Sequence, residues 1–459
     1  MLTKNPISTG QIDMFRPKLS RIISESHSLV VLAKEIDWTG MYEALLPYYS
    51  EIGRGSIPPR KIVGMLMLKR MFNESDESVV ARWIENPYWQ YFTGEEYFQK
   101  DQPFDPSEFV HFRNRLGEAG LEMVLSYTVR LHAEVAKDKQ VLVDTTVQEK
   151  NITFPTDTKL AKRIIDKCIK KAKANGVQLR RTYKKELKQL MKDQYNSTHP
   201  RRRATAKKAQ KRIKTIAKIL VRELRRKLPD TDYIDRLDFY DKVLHQKRGD
   251  KKKIYSLHEP NVSCIAKGKA HKKYEFGNKV SIVKGLASGV ITSAKSYQGN
   301  PHDSKTIQQS LEQSQRVTKL AGTNSAQIAI ADRGYRGVEQ INGVQVIIPS
   351  SGIGKSIYQK AKERKQFRKR AGIEPIISHL KHDHRMIRNF LKGITGDYNN
   401  ALLAAIGFNL KKRLNKIDQH IMYLFAFLQN YLTLYTAAHP NIRMSQNCTY
   451  NTPLGKGPF

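Results

Sequence analysis

The sequence predicts an α/β domain on a mixed sheet with flanking helices, interrupted by a basic helical insertion and preceded by an all-α region. Three observations carry this. After residue 139, short runs rich in Val and Ile recur between turn residues, the mark of buried strands. Before it, apolar residues recur at three- and four-residue steps, the mark of packed helices. Between the first strand and the next, residues 159–230 hold 26 Lys and Arg against 5 Asp and Glu, more than half of the chain's net +38.

From about Leu29 to Val135 the chain reads as helical. Pro58 and Pro59 open a run in which Ile62, Met65, Leu66, Leu68, Lys69 and Phe72 keep helical spacing, and Asn73 to Asp76 supplies a polar turn. Ser75 to Gly94 (SDESVVARWIENPYWQYFTG) starts at a serine, spaces Val79, Val80, Trp83 and Ile84 as a helix does, and breaks at Pro87. Two short helices about a turn fit a helix-turn-helix. They also fit a small bundle whose core holds Trp83, Tyr88, Trp89, Tyr91 and Phe92, since aromatics bury large areas. The aromatics are read as core. For the region as a whole, DNA binding and self-association both stand.

Val141, Leu142 and Val143 form the first strand, which ends in Asp144, Thr145 and Thr146. A buried Asp needs an offset, which hydrogen bonds or a metal ion supply. In the basic segment, Ile213, Ile216, Leu220, Leu224 and Leu228 make one apolar stripe along a helix. Arg201, Arg202, Arg203, Lys207, Lys208, Lys211, Arg212, Lys214 and Lys218 decorate the rest. Like charges at this density repel unless a polyanion screens them. The segment is therefore read as a grip on phosphate backbone, independent of base sequence and weakened by salt.

Past the turn-rich Lys247 to Lys253, strands are expected at Val262 to Ala266, Tyr274 to Val283 and Val290 to Tyr297, with Gly268, Gly277, Gly285 and Gly289 as turns or bulges. Asn300 to Asp303 opens a helix through Leu311; Asp303 reads as its cap and His302 as a surface residue, with a ligand role for the two as the lesser alternative. Ile328 to Ala331 is a short buried strand, and Gly334 and Gly337 break it into a turn. Asp332 sits at its end between Arg333 and Arg336. It fits a turn residue paired with its neighbours and it fits a metal ligand. Val344 to Pro349 is another buried strand, followed by a basic segment from Lys355 to Arg370.

In Phe367 to Lys392 (FRKRAGIEPIISHLKHDHRMIRNFLK) the one acidic residue before Asp383 is Glu374. Proline favours the first helical position and disfavours helix in its predecessor, so Pro375 makes Glu374 the expected cap of a helix. The helix dipole there favours the ionised carboxylate. A capped basic surface helix and a metal ligand are both compatible. Taken together, Asp144, Asp332 and Glu374 make a coherent site, since three oxygen donors leave room for water and phosphate on magnesium. Two such ions suit in-line attack on phosphorus.

The composition agrees. The positive excess implies a polyanionic partner, nucleic acid first. No membrane span is expected, because the most apolar stretch, Ile421 to Ala438, is cut by Gln429 and Asn430 where roughly 20 apolar residues are needed. MLTKNPISTG has no apolar run, so no secretory signal is expected. Cys168, Cys264 and Cys448 lack zinc or disulfide spacing and read as reduced thiols of a cytoplasmic protein.

At this point the chain resembles the DDE transposases of the insertion-sequence-five family, which have a ribonuclease-H-like catalytic domain. The resemblance rests on Ser78 to Gly94, on Phe112 to Gly117 (FRNRLG), on VDTT around Asp144 and on ADRGYRG around Asp332. It rests also on Phe367, Arg370, Glu374 and Lys381 at the steps of the family signature, with Phe where Tyr is usual. The resemblance implies Asp144, Asp332 and Glu374 as a triad holding two Mg2+ ions, for which Mn2+ can substitute. It implies Arg370 and Lys381 as contacts to transposon-end DNA. Beside such a site, Arg333 and Arg336 are placed to meet phosphate.

The expected organisation is an all-α DNA-binding or dimerisation domain at 1–137, a catalytic domain at 138–415 with its basic insertion at 159–250, and a C-terminal helix and tail at 416–459. The expected activity is binding of terminal inverted repeats, hydrolysis at the element ends and transfer of the 3′ hydroxyls to target DNA. The expected partner is double-stranded DNA, held by a homodimer or larger assembly in a bacterial cytoplasm. The alternatives are a ribonuclease-H-like nuclease without strand transfer and a catalytically inactive DNA-binding repressor.

Overall fold

The computed structural model describes residues 17–438 apart from 51–54, 196, 230–232, 248, 267–272 and 350–355. The first ten residues, Gly268, Lys355 and Cys448 lie outside the described residues.

The chain opens with α1 (Leu19–Ile22), α2 (Ser28–Glu35), α3 (Trp38–Leu45), α4 (Pro59–Met71), α5 (Asp76–Glu85), α6 (Pro87–Phe92) and α7 (Glu108–Arg130). Every residue of α4 from Ile62 to Met71 is buried, so it is a central helix rather than an amphipathic one. α5 starts at a reciprocal cap in which Ser75 Oγ accepts from the Ser78 amide and Ser78 Oγ from the Ser75 amide. It stops before Pro87, and the Asn86 side chain caps α6 by accepting from the Tyr88 amide at 2.9 Å. Trp83, Trp89 and Phe92 are buried, and Trp83 Nε1 donates to Thr93 Oγ1 at 2.8 Å. These aromatics are core, as expected. Asp76 receives both ends of the Arg113 guanidinium at 2.8 Å and Lys69 Nζ at 2.5 Å, which ties α5 to α7 and α4 through a buried ion network.

β1 (Gln140–Lys150) is longer than its apolar triplet suggests. It runs past Asp144 because its second half pairs antiparallel with β3 up to Glu149. α8 (Asp157–Ala174), α9 (Lys184–Asp193), α10 (Pro200–Lys227) and α11 (Ile234–His245) follow. They bury a core of their own, in which Ile164, Cys168 and Leu237 meet the α10 stripe of Ile213, Ile216, Leu220 and Leu224.

The sheet resumes with β2 (Ser263–Ala266), β3 (Tyr274–Gly285) and β4 (Ile291–Tyr297). Then come α12 (Ile307–Leu320), β5 (Ile328–Ile330), β6 (Gln340–Ile341), β7 (Val344–Ile347), α13 (Ile357–Arg368), α14 (Glu374–His382), β8 (Arg388–Asn389) and α15 (Gly393–Ala438). The strand order is β2-β3-β1-β5-β7-β6, with β4 also on β3 and β8 also on β1. β3 is antiparallel to β1, whereas β5 is parallel to both β1 and β7. This is the mixed sheet of a ribonuclease-H-like domain, with helices flanking it. At Gly277 the strands come so close that an added Cβ would lie 1.9 Å from the Gln148 carbonyl oxygen.

α15 is one continuous helix, so the boundary expected at 415/416 falls inside it. No Gly or Pro interrupts it there, and Leu410, Leu414 and Ile417 carry one buried stripe across the expected break. The first half of α15 joins α2, α4, α7 and the β4 face in a shared hydrophobic core. Among the described residues, no helix is long and apolar enough to cross a membrane.

Candidate active site

β1 and β5 are register partners at Gln140 with Ile328, Val141 with Ala329 and Leu142 with Ile330. Asp144 stands two residues further along β1, and Asp332 two residues past Ile330, the last residue of β5, in extended backbone. The two aspartates thus leave neighbouring parallel strands, whose backbones run about 4.8 Å apart, at the same level. Side chains of equivalent residues share a face, so the two carboxylates stand side by side.

Each carboxylate has one oxygen tied down by its own backbone. Asp144 Oδ1 accepts from the Thr145 amide and Asp332 Oδ1 from the Gly334 amide, both at 2.8 Å. The other oxygens turn toward one nitrogen, with Arg370 Nη2 at 3.4 Å from Asp144 Oδ2 and 3.3 Å from Asp332 Oδ2. Charge-assisted hydrogen bonds normally close to about 2.7–2.9 Å, so the guanidinium is shared without closing on either acid. Arg370 Nε is buried without a hydrogen-bond partner. Two hard oxygen donors converging on a cation suit a divalent ion such as magnesium.

Arg370 lies in the 3-10 turn Lys369–Ile373. Ile373 packs with Leu142 and Ile330, each two residues before one of the aspartates, and so fastens this turn over the strand ends. Glu374 follows directly. It is exposed, and it is the first helical residue of α14 rather than its cap, with φ −61° and ψ −45°. The 3-10 turn runs straight into α14, and this continuity overrides the preference against helix before Pro375. Among the described residues, no three His, Cys, Asp or Glu side chains come close enough to hold a metal ion. The structure thus brings Asp144 and Asp332 together and leaves Glu374 exposed at the start of α14, outside a three-carboxylate cluster.

A different carboxylate does enter the site. Asp303 is not the cap of its turn, because His302 Nδ1 accepts from the Ser304 amide at 3.4 Å in that role. Instead Asp303 Oδ1 accepts from Thr145 Oγ1 at 2.9 Å and from Lys279 Nζ at 3.0 Å. A Cβ placed on Gly334 would lie 2.9 Å from both Asp303 Oδ2 and Asp332 Oδ1. The spacing of Asp303 along the chain carries no sign of this. The sheet brings it there, through Thr145 on β1 and Lys279 on β3.

Burial raises the pKa of Asp144, against the opposing pull of Arg370 and the Thr145 amide, and the charges of Asp332 and Asp303 add to the rise. Tyr335 is fully buried and its hydroxyl makes no hydrogen bond. Burial, with the nearby charges of Asp303, Asp144 and Asp332, pushes that hydroxyl's pKa far above its ordinary value.

The remaining candidates lie further out. Arg333 and Arg336 are exposed, and Asp332 pairs with Arg370. Lys381 is half-buried on α14. Arg201, Arg202, Arg203, Lys207, Lys208, Lys211 and Arg212 are all exposed on α10, with Arg212 paired to Glu186 at 2.6 Å.

Residues 17–115 match a family described as Transposase domain (DUF772), and residues 243–410 match one described as Transposase DDE domain. The second range contains Asp332, Arg370, Glu374 and Lys381, whereas Asp144 and α8 to α10 lie between the two. A Rhizobium meliloti protein described as uncharacterized protein ORF8 in nfe locus is 41% identical over 181 residues, covering 38% of this chain and 87% of the relative. No solved structure matches. Transposase domains matched on both sides of β1, together with a mixed sheet flanked by helices, place the chain in a family that acts on DNA and generally uses divalent metal ions. The chain belongs to the DDE transposases of the insertion-sequence-five type.

Proposed function

We propose that this transposase binds the terminal inverted repeats of its element, hydrolyses the phosphodiester at each end and joins the freed 3′ hydroxyls to target DNA. The observation that supports the reading is the convergence of Asp144 and Asp332, each two residues past the last β1–β5 register pair, on Arg370 Nη2. Asp144 and Asp332 would hold the divalent ions, Mg2+ with Mn2+ as a substitute, and Glu374 would complete the set from the start of α14. When bound, such ions activate the attacking oxygen and stabilise the leaving one.

The chain's own residues do the rest. The Thr145 and Gly334 amides fix one oxygen of each acid, so each carboxylate presents the other. Arg370 offsets the charge of the metal-free acids and, with DNA present, turns its guanidinium to a phosphate oxygen. Lys381, Arg333 and Arg336 extend that cationic rim. In hydrolysis a water oxygen attacks phosphorus and the 3′ oxygen of the element leaves with its strand. In joining, that 3′ oxygen attacks a target phosphorus and displaces the target's own 3′ oxygen, with no covalent protein link.

The basic insertion at 159–250 grips DNA phosphates through Arg201, Arg202, Arg203, Lys207, Lys208, Lys211 and Arg212. The helical region at 1–137 recognises element ends or pairs subunits, beside the catalytic domain that begins at residue 138. The work is done in the bacterial cytoplasm. Two ends must be held at once, so a dimer or larger assembly forms on DNA.

Asp144→Asn or Glu374→Gln is expected to abolish Mg2+-dependent cleavage of an end-containing duplex while binding to that duplex stays within a few-fold. Preserved cleavage by either variant would sink the triad. With pre-cleaved ends, joined product supports the transposase reading, and cleavage without joining indicates a nuclease. Wild-type binding with no metal-dependent cleavage indicates a repressor.

A further inference from the structure

Among the described residues, α15 outlasts the body on which it packs. Its stripe of Leu410, Leu414 and Ile417 is buried, and the same alternation of three- and four-residue steps continues through Ile421 to Leu424, Leu428 and Tyr431. Those last three are 58%, 51% and 58% exposed. Five further large apolar residues between Met422 and Leu434, Phe425 and Phe427 among them, are also more than half exposed. From Gln419 to Ala438 there is no Asp, Glu, Lys or Arg, in a chain of net charge +38.

We propose that residues 419–438 of α15 form a homodimerisation helix that seats the same helix of a second copy of this chain. Monomeric proteins rarely expose contiguous apolar patches beyond a few hundred Å². Leu424, Leu428 and Tyr431 on the stripe, with Phe425, Phe427 and Leu434 flanking it, are all at least half exposed; at roughly 150–250 Å² each they offer on the order of 500–900 Å² per partner, the range of a specific interface, while Met422 and Tyr423 lie on the far side of the helix. Charge selects the partner. Two copies at +38 repel over most of their surfaces, and a segment without charge is where they meet without setting like charges opposite each other.

The spacing selects the geometry. An alternation of three and four residues is the coiled-coil period, and an interface about a two-fold axis pairs one stripe with its own copy. DNA is a poor occupant, because the segment offers phosphates no cation. The proposal rests on the transposase reading only for its use, which is to bring two element ends together. The association itself is independent of cleavage.

Sedimentation of the full-length protein without DNA tests it. The wild type is expected at twice its 52.8 kDa mass, at micromolar concentration. The double variant Leu424→Glu, Leu428→Glu is expected to sediment as a monomer with unchanged helix content by circular dichroism. It should bind a single end within about twofold and lose the complex that holds two ends. Asp144→Asn should remain dimeric while losing cleavage, so the failure of one reading is separable from failure of the other. A monomeric wild type, or a double variant that still dimerises, overturns the proposal. So does a chain that dimerises only after residues 439–459 are removed, since that tail would then be the occupant.

Discussion

Removing Arg370 tests the geometry of the strand-end site most directly. Its Nη2 stands 3.4 Å and 3.3 Å from the Oδ2 atoms of Asp144 and Asp332. At an effective dielectric of ~20 each contact carries roughly 5 kcal/mol of Coulomb attraction, while two carboxylates about 5 Å apart repel by about 3 kcal/mol. The three side chains are 16% to 33% exposed, so solvent screens these values. Desolvation of the guanidinium also opposes them, which leaves a net effect on the order of 1–3 kcal/mol.

Arg370→Ala should therefore lower the stability of the metal-free protein by about 1–3 kcal/mol in urea unfolding. The same change frees both Oδ2 atoms. A divalent ion that no longer has to displace the guanidinium should bind roughly tenfold tighter for each 1.4 kcal/mol of released competition. Calorimetric titration with Mn2+ in the absence of DNA should show this. The stability gap to the wild type should close as Mn2+ rises, because ligand binding stabilises the folded state by mass action. Asp144→Asn with Asp332→Asn should abolish the Mn2+ response in both backgrounds. If Arg370→Ala leaves stability unchanged and Mn2+ affinity unchanged or weaker, Arg370 does not hold the place of a cation.

Two further outcomes are expected. Replacing Lys207, Lys208 and Lys211 with Gln should reduce the slope of log K for DNA against log salt by about 0.9 per lost phosphate contact, without changing base preference. An unchanged slope in fluorescence anisotropy across a salt series would remove α10 from the DNA interface. At Asp76, burial alone would raise the pKa, but Arg113 and Lys69 outweigh it and hold the carboxyl down at about 2, against an ordinary 3.8. That difference is worth on the order of 2 kcal/mol, fully present above about pH 4 and lost as pH falls toward 2. Asp76→Asn should accordingly destabilise the protein at pH 7 and show a shrinking gap to the wild type in unfolding measurements between pH 4 and 2. A gap that stays constant across that range refutes the ion network's contribution.

Several parts of the site were legible along the chain. VLVD and IAIAD each read as an apolar strand segment delivering a carboxylate, and the two fall in register in the sheet. The apolar stripe of α10 reads the same way in sequence and in structure, since a helical period shows which face is buried. The start of α5 at Ser75 follows from a cap that involves only neighbouring residues.

Other parts were not legible, for reasons of distance. The second half of β1, TTVQEK, has no apolar run of its own, and pairing with β3 makes it a strand. Arg370 reaches Asp144 across 226 residues and Asp332 across 38, and Thr145 reaches Asp303 across 158. Glu374 looked like a cap because the residue before a proline usually leaves the helix, and here the preceding turn kept it helical. By itself, then, the sequence determined most of the elements, the two aspartates that follow apolar strand segments and the surplus of positive charge, because periodicity, turn chemistry and net charge are local or additive properties. Only the tertiary structure decided which groups share the strand ends, that α15 joins the N-terminal helices in one core, and that large apolar side chains from Met422 to Leu434 are exposed. Apolar burial is non-directional, so a pattern shows that a face is buried without naming what it is buried against.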